Sequence, residues 1–264
     1  MTEIVPTPGL GDDLQRLATA SRQLLVALDF DGTLAPEVDE PEEARALPAA
    51  HAAVLRLLAL PRTRVALISG RALKSLEHVS DLPDSALLVG SHGIEIRLDS
   101  PDTQLLLEDA ERERRDTLET VLRSVAENID GVWVEEKPAG FALHTRLATE
   151  QDSREAHLVA LRDTQPDAQN LTVRAGKNVL EFSVRSTTKG ESIEHLRRYT
   201  RSDAVFFAGD DVTDEDGFAA LQPGDFGLKS GPGDTLANHR VAGPIEVAAV
   251  LSDLAELREH ATRE

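Results

Sequence analysis

Residues 24–34 read LLVALDFDGTL. The stretch opens with five apolar residues, Leu24 to Leu28, and a short apolar run closed by a turn suits a strand buried on both faces. It stops at two carboxylates two positions apart, Asp29 and Asp31, which extended chain points the same way. Gly32 follows, where a sharp turn needs no Cβ, and Thr33 adds a hydroxyl. An α/β protein presents reactive groups in this way, at the carboxyl end of its sheet. One aspartate there would read as an Asx turn. D-x-D-G-T directly after an apolar strand reads as chemistry.

Outward from this stretch the same grammar repeats. Arg64–Ile68 (RVALI) is a second buried strand, ending at Ser69-Gly70-Arg71 before a helix. A hydroxyl, a glycine and an arginine at such a junction suit a phosphate cradle, although Ser69 as a plain helix cap reads equally well. Leu87–Val89 is a third strand, and His92 in the turn after it reads as a ligand or, as a lone His in a turn more often is, as structural. Further on, Thr188 and Glu191 form a T-x-x-E capping box that places Lys189 in the first turn of a helix. A cation there opposes the helix dipole, which suggests service to an anion. Ala204–Ala208 (AVFFA) is the next buried strand. It runs into GDDVTDED at 209–216, where four acids crowd more closely than capping needs and invite a divalent cation with hard oxygen ligands.

Between these motifs the pattern changes. A charged amphipathic helix at 108–128 precedes a hairpin of strands 131–137 and 141–147. Another helix near 150–164 precedes a second hairpin, 171–175 and 179–184, turning at Gly176-Lys177-Asn178. The expected fold class is therefore α/β: a Rossmann-like parallel-sheet core from residues 1–100 and 185–264, with a smaller α+β cap inserted at 101–184. On the cap strands, Glu135 and Lys137 share one face by period two, and so do His144 and Arg146. Trp133, the only tryptophan, is expected in the cap core.

Composition narrows the chemistry. The 264 residues contain no cysteine, which removes thiol nucleophiles and thiolate metal sites and leaves carboxylate, imidazole and hydroxyl groups. With 28 basic and 47 acidic residues the formal charge is −19, so nucleic acid and anionic lipid are unsuitable partners. No apolar run approaches the roughly 20 residues of a membrane span. The N-terminus has neither a basic start nor an apolar signal core, so a cytoplasmic monomer acting on a small molecule is expected. There is no G-x-x-x-x-G-K phosphate loop and no serine nucleophile elbow.

DFDGT at 29–33, Ser69, Lys189 and GDDVTDED at 209–216 resemble the four ordered motifs of the haloacid dehalogenase-type phosphatases, and the insertion resembles their C2-type cap. More narrowly, DFDGTLAP at 29–36, ISGR at 68–71, GSHGIE at 90–95, EEKPAGFALHTR at 135–146, GKNVLEF at 176–182, TKG at 188–190 and GDDVTDEDGF at 209–218 resemble trehalose-6-phosphate phosphatases. Thr145 departs from the aromatic residue common at that place. The resemblance implies hydrolysis of trehalose 6-phosphate through an aspartyl-phosphate on Asp29, with Asp31 as acid and base. It implies Mg²⁺ held by Asp29, the Asp31 carbonyl and Asp210, with Asp214 behind them. It implies phosphate contacts from Ser69, Gly70, Arg71 and Lys189, and sugar contacts from Glu135, Lys137, His144, Arg146, Lys177, Asn178 and Glu181. The nearest alternatives are a capped phosphatase for sucrose phosphate or a hexose phosphate, and a catalytically silent regulatory module.

Overall fold

The computed structural model describes residues 8–38, 40–100, 104–105, 107–176, 178–185 and 187–263. Two compact units emerge: Met1–Gln104 with Thr187–Glu264, and Leu105–Ser186.

The larger unit is built on an eight-stranded sheet. Its strands in chain order are β1 (Leu24–Leu28), β2 (Thr63–Ile68), β3 (Leu87–Gly90), β4 (Glu95–Arg97) and the two-residue β5 (Gln104–Leu105). After the second unit come β10 (Ala204–Gly209), β11 (Phe226–Ser230) and β12 (His239–Val241). The spatial order is β12-β11-β10-β1-β2-β3-β4-β5. Pairing is parallel from β12 to β3, and β4 runs antiparallel to β3. All five residues of β1 are fully buried, as an apolar run without alternation requires. Leu24, Val26 and Leu28 join one cluster with Leu14 and Leu17 of α1 (Leu10–Ala20), Val54 and Leu57 of α2 (Pro48–Ala59), and Leu251 and Leu254 of α8 (Pro244–Arg263). The remaining helices of this unit are α3 (Leu73–Ser80), α6 (Lys189–Thr200) and α7 (Asp214–Ala219). The helix α6 packs against β1 and β2 and against α7.

The smaller unit holds a four-stranded antiparallel sheet in the order β6-β7-β9-β8. Its strands are β6 (Trp133–Lys137), β7 (Gly140–His144), β8 (Thr172–Gly176) and β9 (Val179–Ser183). The helix α4 (Asp109–Asn128) packs on β6, β7 and on α5 (Glu150–Asp163). Phe141, Leu143, Leu180 and Phe182 alternate along β7 and β9 and are buried with Leu118 and Leu122 of α4. The opposite face of the sheet is polar.

Among the described residues, no helix is long and apolar enough to cross a membrane.

Candidate active site

The parallel sheet brings three strand ends side by side. Asp29 leaves β1, Ser69 leaves β2 and Asp210 leaves β10, and β1 is the common neighbour of the other two. The turn after β1 has Gly32 at φ +76, where a side chain would run into the Asp210 carboxylate. Gly209 is needed for a similar reason, since a Cβ there would strike the Asp214 carboxyl. The Ser230 hydroxyl at the end of β11 donates to the Gly32 carbonyl over 2.8 Å and pins the same turn.

Lys189 sits where the capping box placed it. Thr188 caps α6, its hydroxyl accepting from the Glu191 N–H while the Glu191 carboxylate accepts from the Thr188 N–H. The lysine is 3% exposed, and its Nζ donates to Asp29 Oδ1 and to Asp214 Oδ1, each over 2.7 Å. Burial opposes its charge, but the attraction of Asp29 and Asp214 outweighs that and holds the ammonium above its ordinary range. The second oxygen of Asp214 accepts the N–H groups of Asp210 and Asp211, 3.0 Å away in both cases.

One lysine does not balance the buried carboxylates of Asp29 and Asp214 together with the half-buried Asp210. Burial pushes the Asp29 carboxyl up to about 6 against the pull of Lys189, with Asp210 adding repulsion. Asp210 is also pushed up to about 6, by burial and by its neighbours Asp214 and Asp211, and Asp214 to about 7, by burial and by Asp29. One oxygen from each of Asp29, Asp210 and Asp214 lies within 4.8 Å of the others. This donor set, hard oxygens with excess negative charge, fits a divalent cation. Asp214 has both oxygens engaged by N–H donors, whereas Lys189 occupies one oxygen of Asp29 and the Thr33 hydroxyl lies 3.4 Å from Oδ1 of Asp210.

The remaining motif residues are distributed differently from their sequence order. Ser69 is 2% exposed and its Oγ accepts the Arg71 N–H over 3.1 Å, which leaves the hydroxyl hydrogen for an incoming anion. Arg71 turns to Asp31, with Nε on Oδ2 and Nη2 on Oδ1, both 2.6 Å. This bidentate pair raises the guanidinium further and occupies both oxygens of Asp31. Arg71 Nη1 also donates to the Pro41 carbonyl over 2.7 Å, fastening the acidic loop after Asp31. The 90–93 turn links motifs: the His92 N–H donates to the Ser69 carbonyl, and the Thr187 hydroxyl donates to the His92 carbonyl over 2.7 Å.

Sequence reasoning missed Lys229. It lies at the end of β11, 3% exposed, and donates to the Asp211 carbonyl over 3.1 Å and to Glu215 over 3.3 Å. Glu215 in turn accepts the Leu236 N–H over 2.7 Å. The acidic loop is thereby tied to the neighbouring strand. A lysine closing the otherwise apolar run FGLK was the available signal.

In the smaller unit, strand register reads out the polar face directly. Glu135, Ala142, Glu181 and Arg174 form one row across the four strands, and Trp133, His144, Val179 and Gly176 form the next. Glu135 accepts from Lys137 Nζ over 2.5 Å and pairs with His144 Nε2 over 2.8 Å. Lys137 chiefly, then His144, hold its carboxyl below the usual range despite partial burial. Two expectations need correction. Trp133 is on this polar face and outside the core: by period two it shares the face of Glu135 and Lys137, half-buried. Arg146 is beyond the strand, because β7 ends at His144 and the chain turns down at Thr145, buried with its hydroxyl 2.6 Å from Ser153 Oγ. Asn178 supports the hairpin turn at φ 59 and its carbonyl accepts the Thr145 N–H. Lys177 lies outside the described residues.

The trehalose-phosphatase family model matches residues 27–244. The chain belongs to that family. The match takes in all four core motifs and the whole of the smaller unit. Relatives agree with the assignment. Trehalose-6-phosphate phosphatase of Escherichia coli (strain K12) is 36% identical over 228 residues, covering 83% of this chain and 82% of the relative. The bifunctional trehalose-6-phosphate synthase/phosphatase of Thermoproteus tenax is 35% identical over 243 residues, 90% of this chain but 32% of the relative. This family member therefore spans well under two thirds of the length of several relatives. Among solved structures, Aspergillus fumigatus trehalose-6-phosphate phosphatase superposes with a TM-score of 0.69 at 26% identity, covering 93% of this chain and 97% of that one.

Proposed function

We propose that the chain is a Mg²⁺-dependent phosphatase that converts trehalose 6-phosphate to trehalose and phosphate. The observation that carries the reading is Lys189 buried between Asp29 and Asp214 beside Asp210, in a chain whose family match also includes the polar sheet.

Asp29 attacks phosphorus. The phosphorus–sugar oxygen bond breaks and the proton of Asp31 passes to the leaving oxygen. Water then attacks the aspartyl-phosphate, Asp31 takes its proton, and Asp29 is restored with release of phosphate. Asp31 must part from Arg71 to carry a proton, so the pair seen here is a resting arrangement. Lys189 neutralises phosphate oxygens and, with Ser69 and the backbone at Gly70, orients them, and phosphoryl transfer draws most of its acceleration from such positioning. Asp29 and Asp210 would hold Mg²⁺ with the Asp31 carbonyl, and Asp214 fixes Lys189 and the acidic loop behind them. When bound, the ion supplies charge neutralisation at the phosphate. Glu135, Lys137, Glu181 and His144 supply the directional contacts that a disaccharide needs.

The test is phosphate release from a panel of trehalose 6-phosphate, sucrose phosphate and hexose phosphates, each with Mg²⁺ and with EDTA. Trehalose 6-phosphate is expected to have the highest kcat/KM, EDTA to abolish release, and Asp29→Asn to leave no more than a trace. A higher kcat/KM on sucrose or hexose phosphate would transfer the reading to that substrate. Release from none would make the chain a silent binding module.

A further inference from the structure

Trp133 lies at the end of the polar sheet face, and its ring meets two residues named above for the sugar, His144 and Arg146. Its indole stacks on the His144 imidazole, with ring centres 4.9 Å apart and planes 9° from parallel. The Arg146 guanidinium carbon lies over the same indole, 6.0 Å from its centre. His144 Nε2 in turn holds one oxygen of Glu135, while Lys137 holds the other. Trp133 is half-buried on a polar sheet face, where these ring contacts hold it alongside His144 and Arg146.

The same face offers a place for a ring. Ala142 stands between Glu135 and Glu181, in register with both. Adjacent strands are about 4.8 Å apart, so the two carboxylates flank a shallow floor about 10 Å across. A pyranose fits that width. For hydroxyl recognition the flanking groups must hold their geometry, yet His144 is 25% exposed, Glu135 46% and Arg146 follows the strand in a turn. Flexible, half-solvated side chains lose rotamer entropy when they bind, and pre-ordering them before the sugar arrives reduces that loss.

We propose that Trp133 is the positioning residue of the sugar-reading face: its indole holds His144 and Arg146, and through His144 it holds Glu135. The inference rests on the trehalose 6-phosphate reading above and assigns specificity to a residue outside the charged motif. A tryptophan at the start of a cap strand gives this chain a fixed aromatic wall beside its two recognition carboxylates.

Because Trp133 is the only tryptophan, its emission reports on this face alone. Trehalose titrated into the unmodified protein without Mg²⁺ is expected to change that emission saturably. Trp133→Leu is expected to lower kcat/KM on trehalose 6-phosphate roughly tenfold more than on p-nitrophenyl phosphate, mostly through KM, since one stack and one cation–π contact are lost. Trp133→Phe keeps the stack and is expected to recover most of the difference. Equal losses on both phosphates, or emission indifferent to trehalose, would overturn the proposal. Wild-type turnover of trehalose 6-phosphate measured alongside separates this from failure of the functional reading: no release with Mg²⁺ refutes the reading, whereas release with an indifferent Trp133 refutes only the positioning role.

Discussion

At the edge of the larger unit, Lys189 and Asp29 have side chains 3% and 6% exposed and Asp214 has none of its surface in water. On the sheet face of the smaller unit, Glu135 and Lys137 are 46% and 43% exposed and their charges are shared with solvent. Both places use carboxylates and lysine, with opposite energetics. Buried charges are strongly coupled, so removing one partner strands the others in low dielectric. Half-exposed charges are screened and individually weak, so they can exchange partners at small cost. On the proposed reading, chemistry that needs one fixed arrangement would occupy the first environment, and recognition that swaps water for hydroxyl groups the second.

The contrast is most exposed to test at Lys189. Lys189→Met leaves Asp29 and Asp214 without the cation between them and, on the proposed reading, removes a donor to the phosphate. Loss of about 10²- to 10³-fold in kcat is expected on every phosphate ester, sugar or aryl, in a steady-state assay. A mutant that retained sugar-phosphate turnover while losing only the aryl ester would break the division between the two regions.

Glu181→Ala acts on the other side. Its expected signature is a rise of roughly tenfold in KM for trehalose 6-phosphate, with kcat/KM on p-nitrophenyl phosphate lowered far less, as for loss of one charged hydrogen bond. An equal fall on both substrates would place Glu181 in the chemical machinery.

The smallest effect is thermodynamic. The folded-state values near 6 to 7 for Asp29, Asp210 and Asp214 lie above the ordinary 3.8 of an unfolded aspartate. The fold therefore binds these protons more tightly than the unfolded chain does, and their contribution declines as pH rises from about 4 to 7. A dication bound only by the folded protein would offset the repulsion that remains. The rise in melting temperature caused by Mg²⁺ is expected to be a few degrees at pH 7.5, smaller at pH 5, and reduced at both in Asp210→Asn, measured by calorimetry. Increments independent of pH would mean that the carboxylates are not the ion's ligands.

The larger unit was readable from sequence because its information is local. An apolar run followed by acids, a hydroxyl-glycine pair or a capping box declares a strand end or helix start without knowledge of its neighbours. Partner choice was not readable. Arg71 stands two residues from Ser69 yet reaches Asp31, 40 positions earlier, and only the parallel alignment of β1 with β2 makes that possible. Face assignment in the smaller unit was less legible still. Trp133 resembles a core residue by chemistry, and its true face depends on its register with His144. Lys229 is not legible in the sequence, because a buried lysine contradicts hydropathy until its carbonyl and carboxylate partners are known.

The pairing of β1 has a further effect on how the molecule is made. Leu24 aligns with Thr63 on one side and with Ala204 on the other. The smaller unit is one unbroken stretch and closes its sheet over short chain distances, whereas the strand bearing Asp29 waits for a neighbour that is synthesised 180 positions later. Contacts so distant in sequence form slowly, and an unpaired strand edge is a template for wrong partners in the meantime. The acidic loop that completes the site follows that same late strand. A nascent chain thus finishes the polar sheet of its smaller unit before the acidic cluster of its larger one, whose last members, Asp210 and Asp214, emerge only with the final third.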